Sequence, residues 1–224
     1  GDRFVEPKSL RKTLERDLRD LEAASHFGGG WSWRNYDRPA PLVSLHAIHA
    51  LLRLKLAGYP IENYKFEENL GYLRNLCRNQ EIPITLRCYG CYLLSLAGQP
   101  PSDLPHRLIE EAGGPEKLEP EALAWLLPLE ASLQQVIHNR LSDTASSARL
   151  GKPGAIGDYA TLSSATRGDA ALLLSLQDQK SELAAKLARG LLARRGEGGA
   201  WSNPHDDCWA LLALGEYAKR TEAI

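Results

Sequence analysis

Three groups of residues have types and spacings that could do chemistry. Cys88-Tyr89-Gly90-Cys91 has the separation of a redox or metal-binding thiol pair. His46 and His49, three positions apart, place two imidazoles on one helix face, within reach of a single metal ion. His205 directly precedes Asp206, the residue types of an acid/base pair. Each group lacks the rest of its constellation. A four-thiolate zinc site needs a second Cys-x-x-Cys, and the four cysteines, Cys77, Cys88, Cys91 and Cys208, do not supply one. No third ligand accompanies the two histidines. The surroundings also offer plainer roles. Cys88 and Cys91 lie inside an apolar run from Ile84 to Ala97, where cysteine packs as a small hydrophobe or closes a structural disulfide. The histidines sit in a heavily apolar helix and read as interior hydrogen-bonding groups. Asn203 is placed as an N-cap, Pro204 as a first helical residue, and Asp206 and Asp207 in the positive first turn. On these readings the chain has no catalytic, metal or cofactor-binding residue, and no cofactor is expected.

The elements that must position these residues are helices of two kinds. Leu10, Leu14, Leu18 and Leu21 form one apolar stripe on a charged helix over residues 7 to 25, which can bury a single face. From Pro41 to Ala57, Leu42, Val43, Leu45, Ile48, Leu51, Leu52, Leu54 and Leu56 cover most of the circumference, so that helix must be surrounded by protein. The contrast recurs. A striped helix with Phe66, Leu70, Leu73 and Cys77 precedes the apolar one from Ile84 to Ala97, whose ending, Leu96-Ala97-Gly98, copies Leu56-Ala57-Gly58 forty residues earlier. In both, Gly is placed for a left-handed C-cap and proline follows, at Pro60 and Pro100.

Further pairs follow: Leu104, Leu108 and Ile109 with an apolar helix around Leu123 to Leu129; Leu133, Val136, Ile137 and Leu141 with Ala165 to Leu176; Leu183, Leu187 and Leu191 with Trp209 to Leu214. Ten helices in outer-then-inner order predict an all-α fold, an α/α toroid that fills a six-hairpin ring incompletely. No segment reads as a strand, and residues 142 to 164, rich in Ser, Gly and Ala, read as the longest irregular connection. Two loops link a charged helix to an apolar one with similar residues, Gly29-Gly30-Trp31-Ser32 and Gly198-Gly199-Ala200-Trp201-Ser202.

The 224 residues, 43% of them apolar, suit one well-cored domain over 1–224. A net charge of -1 argues against a nucleic-acid partner, and no run approaches the ~20 apolar residues of a membrane span. Gly1 at the start and the absence of methionine point to a piece of a larger protein.

The segment Gly198-Gly199-Ala200-Trp201-Ser202-Asn203-Pro204, followed by Cys208-Trp209-Ala210-Leu211-Leu212-Ala213-Leu214, resembles the end of the thioester domain of bacterial α2-macroglobulins. His26-Phe27-Gly28-Gly29-Gly30-Trp31-Ser32-Trp33 with the helix closing at Gly58-Tyr59-Pro60 is similar to that family's early Gly/aromatic loop and inner helix. So are Cys88 to Gly98, where the family carries Ala for Cys, and Ser164-Ala165-Thr166-Arg167-Gly168-Asp169-Ala170, which resembles an Arg-x-Asp-Ala helix start. The matches run in order across nearly the whole chain. The resemblance implies a protease inhibitor that is not an enzyme. It implies a multidomain parent, periplasmic or extracellular, with membrane attachment only through a lipid anchor. The partners implied are neighbouring β-sandwich domains and target proteases. Covalent members hold a Cys-x-Glu-Gln thioester motif at the start of the first inner helix, kept dry until cleavage of a bait segment releases it. Nothing here matches it: Cys77-Arg78-Asn79-Gln80 has Asn for Glu and falls at the end of an outer helix. The first inner helix is expected upstream of Gly1, so either the chain begins after the motif or the parent has lost it.

An α/α toroid enzyme of the prenyltransferase or terpene cyclase type is the alternative. Asp206-x-Cys208 resembles part of the prenyltransferase zinc site, but the chain has no His after His205, and the acidic clusters of terpene cyclases are missing. Trp31, Trp33, Tyr36, Trp201 and Trp209 with Asp37, Asp206 and Asp207 also raise a carbohydrate site, which needs two carboxylates across one cleft. Loop anchoring is the plainer role for the tryptophans, since large aromatics fill the space where Gly lets backbones approach.

Overall fold

A computed structural model of the chain describes residues 7–34, 37–61, 63–150, 161–176 and 180–222. Among them are ten α-helices: α1 (Pro7–Ala23), α2 (Pro41–Leu56), α3 (Asn63–Arg78), α4 (Ile84–Leu96), α5 (Leu104–Glu111), α6 (Pro120–Leu126), α7 (Leu133–Arg140), α8 (Ala165–Ser175), α9 (Glu182–Leu192) and α10 (Pro204–Glu222). The fold is all-α, as the helical periods predict. The expectation of no strand is overturned by a small antiparallel hairpin, β1 (Leu141–Asp143) and β2 (Ala148–Leu150). Its strands are three residues each, too short for an alternating pattern to show. Tertiary contacts hold it in place: Leu150 N–H donates to Asp169 Oδ1 at 2.7 Å, and Lys186 Nζ reaches Asp143 Oδ1 at 3.0 Å. Much of the long connection expected over 142 to 164 falls on 151–160, outside the described residues.

The even-numbered helices form the inner layer. α2 packs on α4, α4 on α6, α6 on α8 and α8 on α10. Of the odd-numbered helices, α3 packs on α2 and α4, α5 on α4, α7 on α6, and α9 on α8 and α10. Burial follows the two composition classes. All of Thr85 to Leu94 in α4 and Thr166 to Ser175 in α8 are buried, as is every residue of α6. In α9 the buried set reduces to Ala184, Leu187, Ala188, Gly190 and Leu191, one stripe. Such all-round burial separates inner from outer helices because only an enclosed helix can hide its whole circumference.

The helix ends match their signals. Gly58 and Gly98 have φ of +84° and +76°, and the residue after each donates its N–H five positions back, Tyr59 to Leu54 O at 3.0 Å and Gln99 to Leu94 O at 2.9 Å. That is the glycine-terminated end in which a left-handed residue closes the last turn. At α10, Asn203 Oδ1 accepts the Asp206 N–H at 2.9 Å, so the cap falls where the sequence places it.

The arc of inner helices meets itself through side chains. His205 of α10 faces His46 of α2, Arg53 of α2 lies 3.5 Å from Glu216 of α10, and the Trp209 ring packs on His49.

Candidate functional site

The chemistry-bearing residues gather where the inner helices converge. α2 supplies His46, His49 and Arg53; α4 supplies Tyr89 and Tyr92; α6 supplies Glu121 and Trp125; α8 supplies Arg167; and α10 supplies His205 and Trp209. Tyr89 stacks on Trp125 with ring centroids 4.7 Å apart, and Trp125 lies 5.4 Å from Trp209.

His46 and His49 share a helix but not a ligand. His49 uses both ring nitrogens: Nε2 accepts from Arg53 Nε at 3.0 Å, which leaves Nδ1–H to donate to Tyr89 Oη at 2.7 Å. His46 Nε2 lies 3.5 Å from His205 Nε2, which in turn accepts from the Trp209 indole N–H at 3.1 Å. Burial holds all three imidazoles neutral. His46 is pushed down to about 3 by burial, then by the Arg167 cation and by the neighbouring His205 imidazole, with which it cannot share a second positive charge. His49 lies well below its usual value, through burial and the neighbouring Arg53. His205 is lowered by burial and Arg167. Among the described residues, no group of three or more His, Cys, Asp or Glu side chains is arranged to hold a metal ion.

A buried ion pair sits beside the aromatic cluster, and sequence reading did not single it out as such. Arg167 Nη2 lies 2.6 Å from Glu121 Oε1, with both side chains inaccessible to solvent. Arg167 Nη1 donates to Thr161 O at 2.5 Å, and its guanidinium lies 5.3 Å from the Trp209 ring centroid. Glu121 also accepts from Trp125 Nε1 at 3.1 Å and from Ser163 Oγ at 3.1 Å. The available signal was an unlike charge in the first turn of each of two apolar helices, since a charge on a fully enclosed helix needs a partner.

The remaining carboxylates hold structure together. Asp206 accepts from Ser164 Oγ at 2.5 Å and Asn203 Nδ2 at 3.2 Å, and Asp207 accepts the Trp201 N–H at 2.7 Å. Asp37 is exposed, whereas Asp206 is buried. Asp206 is buried and Cys208 is exposed, so the Asp-x-Cys pair does not converge either. Asp169, held by Arg194 at 2.5 Å and by Leu150 N–H, has its pKa raised by burial in spite of those partners.

The two Gly/Trp loops are one structure built twice. His26 N–H donates to Gly30 O at 2.9 Å and Gly29 N–H to His26 O at 3.0 Å; Gly196 N–H donates to Ala200 O at 2.8 Å and Gly199 N–H to Gly196 O at 2.8 Å. Each loop tryptophan then donates its indole N–H ten residues back, Trp31 to Leu21 O at 2.8 Å and Trp201 to Leu191 O at 2.9 Å. Both tie the loop to the last turn of the preceding outer helix, the anchoring role expected of them. Trp33 is 72% exposed, Trp209 belongs to the interior cluster, and Tyr36 lies outside the described residues. The first loop is also fixed by Asn69 of α3, whose Oδ1 accepts the Gly30 N–H at 2.8 Å, a contact with no local sequence signal.

No family model and no curated protein sequence matches the chain. Solved structures do. *Escherichia coli* alpha-2-macroglobulin activated by porcine elastase matches with a TM-score of 0.70 at 15% identity, over 94% of this chain and 20% of that one. Native *E. coli* alpha-2-macroglobulin from domain MG7 to the C-terminus matches with a TM-score of 0.67 at 13% identity, over 99% of this chain and 36% of that one. A *Salmonella* alpha-2-macroglobulin mutant matches with a TM-score of 0.64 at 14% identity, over 89% of this chain and 14% of that one. The chain has the fold of a segment of bacterial alpha-2-macroglobulins. It spans between about a seventh and a third of those chains. Cys77 is buried in the last turn of α3, while Gln80 is exposed in the turn beyond it.

Proposed function

We propose that this chain is a thioester-type α/α toroid domain of a bacterial α2-macroglobulin-like protease inhibitor, and that its own part is structural. One observation carries the reading: nearly the entire chain superposes on a segment of multidomain alpha-2-macroglobulins, including structures activated by elastase and by trypsin. The interior supports a non-enzymatic role, because its histidines, arginines and carboxylates are engaged with one another and sealed by aromatic rings. In the parent, the domain rests against β-sandwich neighbours and holds the uncleaved arrangement, in the periplasm or outside the cell. The chain contributes no acylating residue, since Cys-x-Glu-Gln does not occur in it.

The test uses the full-length protein. Mixed with trypsin or elastase, it is expected to leave the protease active on a small chromogenic substrate but shielded from a large protein substrate. Denaturing electrophoresis with and without prior methylamine treatment then separates covalent capture from steric enclosure. A protease equally active on both substrates would sink the reading.

A further inference from the structure

Cys77, Cys88 and Cys91 are all buried as thiols, and the helices holding them do not place them equivalently. Cys88 and Cys91 stand three apart on α4, where Cβ atoms lie about 5–6 Å apart. A disulfide needs Cβ atoms about 3.5–4.5 Å apart, so a bridge within the helix would distort it. Cys77 comes from the last turn of α3 and lies over the α4 backbone: a Cβ on Gly90 would stand 2.4 Å from its Sγ. Glycine at 90 is what lets this thiol in, and the next residue along α4 is the buried Cys91. The α3 end is pinned there by Arg87 Nε, which donates to Cys77 O at 3.0 Å.

We propose that Cys77 and Cys91 are a disulfide pair that closes while the chain folds and staples outer helix α3 to inner helix α4. Each thiol gives up its hydrogen and one S–S bond forms. The exchanging disulfide, such as oxidised glutathione, takes up the two electrons and the two protons and leaves as two thiols. Closure precedes burial: burial and neighbouring thiols hold Cys77 and Cys88 well above the usual thiol range, so the folded reduced chain exchanges slowly.

The experiment refolds the full chain, C88A and C91A from denaturant in a glutathione redox buffer, and in dithiothreitol as control. Denaturation, iodoacetamide labelling and peptide mass mapping follow. After oxidative refolding, the chain and C88A should each lose two alkylatable thiols and yield a peptide joining Cys77 to Cys91, with a melting temperature that falls by a few degrees on reduction. C91A should keep all its remaining thiols. Complete alkylation of the oxidatively refolded chain overturns the proposal, as does a link to Cys88 or Cys208, or one that persists in C91A. If C91A fails to refold, the map of the parent chain and of C88A decides.

Discussion

At the scale of single residues, the interior depends on charges and imidazoles kept from water. Removing one partner of a buried ion pair strands the other, so Arg167→Met should lower stability by about 3–5 kcal/mol in urea denaturation. Replacing Glu121 and Arg167 together by apolar residues should cost much less than the two single changes summed. The histidines set a pH dependence of definite sign. Their folded pKa values lie below the unfolded value of about 6.5, so below that pH the unfolded chain binds protons that the folded chain refuses. Stability is therefore full above about pH 6.5 and falls as the pH drops toward about 3, the folded value of His46. Urea midpoints measured between neutral and mildly acidic pH should show this decline, and His46→Gln should flatten it. Gly90→Ala should cost about 1–3 kcal/mol by overpacking against Cys77, and Cys77→Ala in that background should recover part of the loss.

At the scale of elements, a glycine of the first Gly/Trp loop and one that ends α2, both at positive φ, invite direct comparison. A Cβ on Gly29, at φ +94°, would meet Glu68 O at 2.7 Å, whereas Gly58, at φ +84°, faces open space. Gly58→Ala should thus cost only the left-handed backbone strain, about 1 kcal/mol, and Gly29→Ala clearly more, since a main-chain oxygen of α3 cannot step aside. Thermal melts of the two variants order them. The helices were legible in the sequence because their information is local: the all-round apolarity of α2 and α4 and the Gly58 and Gly98 endings each lie within one segment. The exceptions are explained in the same terms. The β1–β2 hairpin is held from outside by Asp169 and Lys186, and Asn69 fixes Gly30 across 39 positions of sequence. What Asp206, Asp207 and Cys208 do was not legible locally: Asp206 is buried against Ser164, Asp207 accepts from the Trp201 N–H, and Cys208 is exposed. The Arg167–Glu121 pair joins two helices whose separate patterns do not name each other.

At the scale of the whole molecule, α2 and α10 are distant in sequence and make few close backbone approaches among the described residues. What joins them is the His46–His205 contact, the ion pair of Arg53 with Glu216 and the packing of Trp209 on His49. Breaking that seam should loosen the contact between α2 and α10 without unfolding the helical hairpins. Glu216→Ala and Trp209→Ala are expected to raise hydrogen exchange in α2 and α10 ahead of α4 and α6. The stacked interior also equips the protein with an optical gauge of its own. Trp125 and Trp209 are shut away among rings while Trp33 stands in solvent. Iodide should quench Trp33 selectively, leaving a blue-shifted emission whose colour reports, without any added label, whether water has entered the middle of the molecule.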